Sequence, residues 1–147
     1  MASIFISRAV DQNAWQEKLG LGHTIIGQSL IQFSPVDFEM PSADWVFFYS
    51  RNGVKYFFEH SQGQLAPYKW AAIGPETAEL LSEYVLDVDF VGDGVPESTA
   101  EKFHNMITDR EKVCFARAVN SQKSIQKNLP DEQVVDLVVY DLSLIHI

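Results

Sequence analysis

Asp44-Trp45-Val46-Phe47-Phe48-Tyr49 runs straight into Ser50-Arg51-Asn52-Gly53, and further on Trp70-Ala71-Ala72-Ile73 runs into Gly74-Pro75-Glu76-Thr77. Each apolar run reads as a strand, and each turn of small and polar residues opens a helix. Two consecutive strand-to-helix turns of this kind put backbone N–H groups and hydroxyls at the carboxyl ends of parallel strands. Open α/β sheets bind their ligands there. The stretch therefore predicts an anion-binding crevice.

The alternation continues outward from these turns. Strands are predicted at 44–49, 70–73, 88–91, 112–116 and 135–140, with helices from Asn52 to about His60, Pro75 to about Tyr84, Ser98 to about Ile107, and Ser121 to about Leu129. Five strands alternating with four helices call for a parallel sheet covered on both faces, because each crossover lays a helix on the sheet. The expected fold is α/β, with residues 44–135 forming a complete flavodoxin-like domain built on a five-stranded parallel sheet. Pro75, Glu76 and Thr77 suit a first helical turn, and Ser98 with Glu101 has the spacing of a capping box. Residues 1–34 supply a strand at 3–7, a helix at 11–19 and an extended stretch at 24–33, too little to enclose a core alone. They read as part of a second, incomplete α/β domain, joined through a linker at 35–43. Residues 136–147 read as a returning linker strand with a shortened end.

The 147 residues carry 20 acidic and 11 basic side chains, a formal net charge of -9, which repels a polyanion at long range and argues against nucleic-acid binding. An anionic ligand must then be held by local donors. No apolar run is long enough to span a membrane and the amino terminus lacks a signal-peptide pattern, so a cytoplasmic protein is expected. The single cysteine, Cys114, excludes an intramolecular disulfide and reads as a buried, inert thiol. His23, His60, His104 and His146 show no metal-binding spacing, and no metal is implied. Gly20-Leu21-Gly22 lacks the third glycine of a dinucleotide fingerprint and follows a helix.

Three segments, Trp45-Val46-Phe47-Phe48-Tyr49-Ser50-Arg51-Asn52-Gly53-Val54, Ala72-Ile73-Gly74-Pro75-Glu76-Thr77-Ala78 and Val113-Cys114-Phe115-Ala116-Arg117-Ala118, occur in the order and spacing of motifs in one family. With Asp136-Leu137-Val138-Val139-Tyr140 and the opening Ile4-Phe5-Ile6-Ser7-Arg8, the chain resembles the uroporphyrinogen-III synthases. Their strands end in "FTS-x-x-x-V", "(V/I)G-x-x-TA" and "PRG"-like turns, and their return strand carries "V-x-x-Y". Three positions depart from the pattern: Tyr49 stands for the family's Thr, and Ala116 and Ala118 flank Arg117 where the family has Pro and Gly. The resemblance implies two α/β domains, the first assembled from both ends of the chain, of which this sequence holds residues 1–34. It also implies cyclisation of hydroxymethylbilane, a linear tetrapyrrole with eight carboxylates, to uroporphyrinogen III with inversion of the last pyrrole ring. No cofactor is implied. A monomer is expected at full length, whereas a shortened chain can exchange elements with a second copy or be inactive.

By the same resemblance Tyr140 is the candidate catalytic proton donor, a phenol that is protonated and hydrogen-bonding at neutral pH; its structural alternative is a packed strand-end tyrosine. Ser50, Arg51, Asn52 and Gly53 at the first turn, Gly74 and Thr77 at the second, and Ser7 and Arg8 from the first domain are candidate substrate contacts. Arg117, with Ser121, is a further candidate carboxylate contact. Helix capping by Ser50 and Thr77, and a surface position for Arg51 and Arg117, are the structural alternatives. Trp15, Trp45 and Trp70 read as core. A noncatalytic flavodoxin-like module that binds a small anion in the same crevice is the rival function.

Overall fold

A computed structural model describes residues 3–6, 24–27, 31–61, 67–119 and 121–144. The chain divides into two compact units, one made of residues 1–34 and 142–147 and the other of residues 35–141. In the smaller unit β1 (Ser3–Ile6) pairs in parallel with β2 (Thr24–Gly27). The helix expected at 11–19 lies outside the described residues.

The larger unit holds β4 (Trp45–Phe48), α1 (Arg51–Ser61), β5 (Lys69–Ala72), α2 (Pro75–Leu81), β6 (Phe90–Val91), α3 (Pro96–Met106) and β7 (Val113–Ala118). With β3 (Ile31–Pro35) and β8 (Val134–Leu144) the strands form a six-stranded sheet ordered β3-β8-β7-β4-β5-β6. The pairs β4–β5, β4–β7, β5–β6 and β7–β8 are all parallel. From β4 onward the chain steps outward through β5 to β6, then returns to the other side of β4 with β7 and β8. This order, with the first strand of the unit in the middle, differs from that of flavodoxin itself and creates a switch point between β4 and β7.

Every residue of β4 is buried, which a strand covered on both faces requires. Side-chain alternation divides its four residues between two cores. Val46 and Phe48 pack with Val54, Phe57 and Phe58 of α1, Ala78 and Leu81 of α2, and Trp70. Trp45 and Phe47 pack on the opposite face with Ala100 and Phe103 of α3, Val113, Phe115 and Ile125. Full burial of each such side chain stabilises the fold by about 1.5–3 kcal/mol. The first two crossovers thus use one face and the third uses the other, as right-handed connections demand when the chain reverses its direction across the sheet.

Three local expectations are corrected. Residues 121–129 do not form an α-helix but a turn and a 3-10 segment, Gln126–Asn128. The Tyr49 hydroxyl accepts the N–H groups of Ile125 and Gln126 at 3.2 and 3.3 Å, donors that a regular helix would use internally, and Pro130 closes the segment. α3 begins at Pro96, so Ser98 lies inside its first turn rather than at a capping box. Its hydroxyl donates to Asp93, which also accepts the Val95 N–H and the Thr99 hydroxyl. α2 ends at Leu81 because the N–H groups of Glu83 and Tyr84 tighten onto the carbonyls three residues back.

Gly92 holds β6 against the end of β5. A Cβ there would lie 2.3 Å from the Ile73 carbonyl oxygen and 2.4 Å from Thr99 Cγ2, so only glycine admits this approach. Gly92→Ala should lower the unfolding free energy by about 1–3 kcal/mol through overpacking, read as a reduced urea midpoint at unchanged m-value. A midpoint equal to that of the parent protein would show that the contact is not so constrained.

Candidate active site

The matched registers of β4 with β5 and β7 set the ends of β4 and β5 side by side, with Phe48 beside Ala72 on one side and beside Ala116 of β7 on the other, two residues before β7 ends. The chain leaves β4 through Tyr49 and Ser50 and enters α1 at Arg51. Ser50 caps that helix, with its carbonyl accepting the Val54 N–H at 3.3 Å and its Oγ accepting the Gly53 N–H at 3.1 Å. Arg51 and Asn52 hold the first turn, where N–H groups have no acceptor within the helix. A Cβ on Gly53 would meet the Ala116 carbonyl oxygen at 3.3 Å, so glycine lets the head of α1 sit close to β7.

Ser50 also meets Tyr140. The two hydroxyl oxygens are 3.2 Å apart, joining residues ninety positions apart in the chain. The Tyr140 ring stacks on Tyr56 of α1, with centroids 5.3 Å apart and an interplanar angle of 19°. This placement depends on an irregularity in β8. Arg117 pairs with Val138, but Ala118 pairs with Tyr140, so one extra residue is accommodated between them. Val139 and Tyr140 consequently both belong to the core on the α1 face. In an uninterrupted strand they would alternate, and Tyr140 would point away from Ser50.

The second turn lies alongside. Gly74 is the N-cap of α2 in extended backbone, and its carbonyl accepts the Ala78 N–H at 3.0 Å. Ile73, Gly74, Pro75, Glu76, Thr77, Asp93 and Gly94 line a cavity of about 490 Å³. Thr77 is itself buried. Arg51 connects the two turns, its Nη1 donating to the Glu76 carbonyl at 3.2 Å. Hydrogen bonds from Ser98, the Val95 N–H and Thr99, with a contribution from Lys102, hold the Asp93 carboxyl far below the usual carboxylate range.

Arg117 is turned inward and is only 6% exposed. Its Nε and Nη2 donate to the two Asp136 carboxylate oxygens at 2.6 and 2.7 Å, and Nη1 donates to the Ala118 and Val119 carbonyls at 2.8 Å each. Ser121 likewise bonds the Ala118 carbonyl. Hydrogen bonding to Arg117 lowers the Asp136 pKa to about 2, with Gln126 and Lys123 adding to it, and the same bond raises that of Arg117. Burial pushes the Tyr49 phenol up to about 12. Ser7 and Arg8 lie outside the described residues. Among the described residues no group of three or more His, Cys, Asp or Glu side chains is placed to hold a metal ion.

Residues 14–146 match the model of the family described as Uroporphyrinogen-III synthase HemD. The chain belongs to the uroporphyrinogen-III synthase family. Solved structures of similar fold include the Helicobacter pylori 26695 uroporphyrinogen-III synthetase, with a TM-score of 0.67 and 18% identity over 100% of this chain and 64% of that one. A mutant uroporphyrinogen III synthase from the extremely thermophilic bacterium Thermus thermophilus gives 0.66 and 18% over 99% and 64%, and the wild-type form gives 0.58 and 18% over 99% and 63%. At this identity the likeness concerns the fold. The chain spans about 64% of the length of the first of these proteins. No curated protein matches it.

Within this chain the structure brings Ser50, Arg51, Asn52 and Gly53 together with Tyr140, and it sets Gly74 and Thr77 at the adjacent turn. Arg117 faces Asp136 instead. Tyr56, as the ring beneath Tyr140, had no sequence signal beyond its place on the inner side of α1.

The Arg117–Asp136 pair has a defined pH signature. The folded-state pKa of Asp136, about 2, lies below its ordinary value of 3.8, so the unfolded chain binds more protons in that window. Stability from the pair is present above about pH 4 and is lost as pH falls through about 2. Asp136→Asn should therefore lower the urea midpoint near neutral pH, and the gap from the parent protein should close as pH drops from about 4 to about 2. A gap that stays constant across that range would contradict the pairing.

Proposed function

We propose that the protein containing this chain cyclises hydroxymethylbilane to uroporphyrinogen III, and that the crevice at the ends of β4, β5 and β7 holds the substrate's carboxylates. The observation that carries this reading is the 3.2 Å approach of Ser50 Oγ and Tyr140 OH, which joins two of the family's motifs at the head of α1. The first-turn N–H groups of α1 and the guanidinium of the exposed Arg51 supply positive potential next to that pair. Gly74 and Thr77 extend the same edge, and Ser7 and Arg8 are proposed as contacts from the first domain.

In the reaction the terminal C–O bond of hydroxymethylbilane breaks and the hydroxyl leaves as water. Tyr140 supplies the proton through Ser50. Ser50 Oγ accepts the Gly53 N–H and lies 3.2 Å from the Tyr140 hydroxyl; in the proposed step the Tyr140 O–H donates to Ser50 while Ser50 gives its own hydrogen to the leaving oxygen. The resulting azafulvene cation is attacked by the far pyrrole through a spiro intermediate, and the proton lost at the end returns to the phenolate. The net change is release of one water. Most of the rate enhancement comes from holding a flexible chain in the geometry of ring inversion.

We further read residues 44–135 as one whole α/β domain, flavodoxin-like in its parallel sheet and doubly covered faces, with 35–43 and 136–147 as its connecting segments and 1–34 as part of the other domain. Among the described residues no helix is long and apolar enough to cross a membrane, and the net charge of -9 opposes nucleic-acid binding. We read the full-length protein as a cytoplasmic monomer acting on a small molecule.

Incubation with freshly made hydroxymethylbilane, followed by oxidation and separation of the porphyrin isomers, should show isomer III above the spontaneous isomer I background. Isomer I alone, at the uncatalysed rate, would overturn the reading. Tyr140→Phe should slow isomer III formation on the order of tenfold, a modest loss for a general acid because positioning dominates, with thermal stability nearly unchanged. An unaltered rate would remove Tyr140 from the proton path.

A further inference from the structure

We propose that Arg117 and Asp136 form a clamp that fixes the irregular step in β8 and thereby aims Tyr140 at Ser50, so that Arg117 is a positioning residue rather than a substrate contact. The inference rests on the synthase reading above for its catalytic consequence, but its structural part stands on geometry alone.

The step falls at one place, between the Arg117–Val138 and Ala118–Tyr140 pairs. Accommodating an extra residue disturbs the ladder there and leaves backbone groups in need of partners. Arg117 bonds β8 on one side of the step and the chain leaving β7 on the other. One edge of its guanidinium fork grips both Asp136 oxygens on β8, four residues before Tyr140, while Nη1 bonds the carbonyls of Ala118 and Val119 as the chain leaves β7. Four of the five donor hydrogens of the guanidinium are thereby committed. Beyond the step the ladder closes again, with the Val119 N–H donating to the Tyr140 carbonyl at 3.0 Å and the Val36 N–H to that of Val139 at 3.1 Å. The carboxylate is held from its other side by Gln126 Nε2 at 3.2 Å and Lys123 Nζ at 3.3 Å. The 3-10 segment that carries Gln126 is in turn fastened by the Tyr49 hydroxyl.

A planar fork that bonds two carboxylate oxygens and two carbonyls at once has no lysine equivalent. Lysine keeps the positive charge a substrate carboxylate would need. Arg117→Lys therefore separates positioning from binding.

The test uses Arg117→Lys, Asp136→Asn, Tyr140→Phe and the Arg117→Lys/Tyr140→Phe double variant. Amide hydrogen exchange reads the clamp directly. Val119 should exchange at least about tenfold faster in Arg117→Lys and Asp136→Asn, while amides in the β4–β5 ladder keep their protection. Unchanged Val119 protection, or a uniform loss across the sheet, would overturn the proposal. In the isomer III assay Arg117→Lys should lower kcat on the order of tenfold with KM held, and add nothing to Tyr140→Phe. A raised KM at constant kcat, or independent effects in the double variant, would make Arg117 a substrate ligand instead. Should the parent protein form isomer I only, the synthase reading falls, and the exchange measurement still decides whether Arg117 holds the Tyr140 segment.

Discussion

Parallel pairing of β4 with both β5 and β7, in registers that set Phe48 beside Ala72 and Ala116, is the constraint on which the rest of the structure depends. Burial of all four β4 side chains suits its central place, with β5 ending level with it and β7 running two residues further. The turns after Phe48 and Ala72 are then adjacent, and Arg51 bridges them through the Glu76 carbonyl. The head of α1 can approach β7 because Gly53 carries no side chain to strike the Ala116 carbonyl. Ser50, capping that helix, is delivered to the same place by the same geometry. The site is a consequence of how the core is packed.

A chain of net charge -9 is ill suited to the proposed substrate, with its eight carboxylates, if only the total charge is counted, and the distribution of that charge changes the balance. Two acidic groups near the strand ends are already occupied. Asp136 is matched by Arg117, Gln126 and Lys123, and Asp93 by Ser98, Thr99, Lys102 and a backbone N–H. A paired carboxylate projects far less field than a free one, so the helix-terminal N–H groups and Arg51 are less opposed locally than the net charge implies. Such a site depends on donors at short range, which favours ligands that bring several carboxylates to one edge.

The strand–helix alternation and the two turns are legible in the sequence because each follows from local pattern: apolar runs, a capping serine, Pro75 at a helix start. What does not show in the sequence depends on contacts between distant segments. Val138-Val139 is apolar on both sides of the step in β8, so nothing in the pattern reveals that Val139 and Tyr140 share a face. Arg117 looks like a solvent-facing or ligand-facing charge until Asp136 is placed opposite it. The departure from the family at Tyr49 also acquires a reason, since its phenol anchors residues 125–126 and thereby disfavours the helix expected at 121–129. Ser98 has the spacing of a cap without the role, because the helix starts two residues earlier, at Pro96, and its hydroxyl is turned to Asp93.

The central claim is that carboxylates bind at the strand ends beside the Ser50–Tyr140 pair. Titration with uroporphyrin III, the oxidised form of the proposed product and itself an octacarboxylate, followed through backbone amide chemical shifts, addresses it most directly. The expected shifts concentrate on Arg51, Asn52 and Gly53 and on Glu76 and Thr77, and they weaken with added salt. Shifts confined to the opposite ends of the same strands, around Trp45, Lys69 and Val113, or no shifts at all, would contradict it.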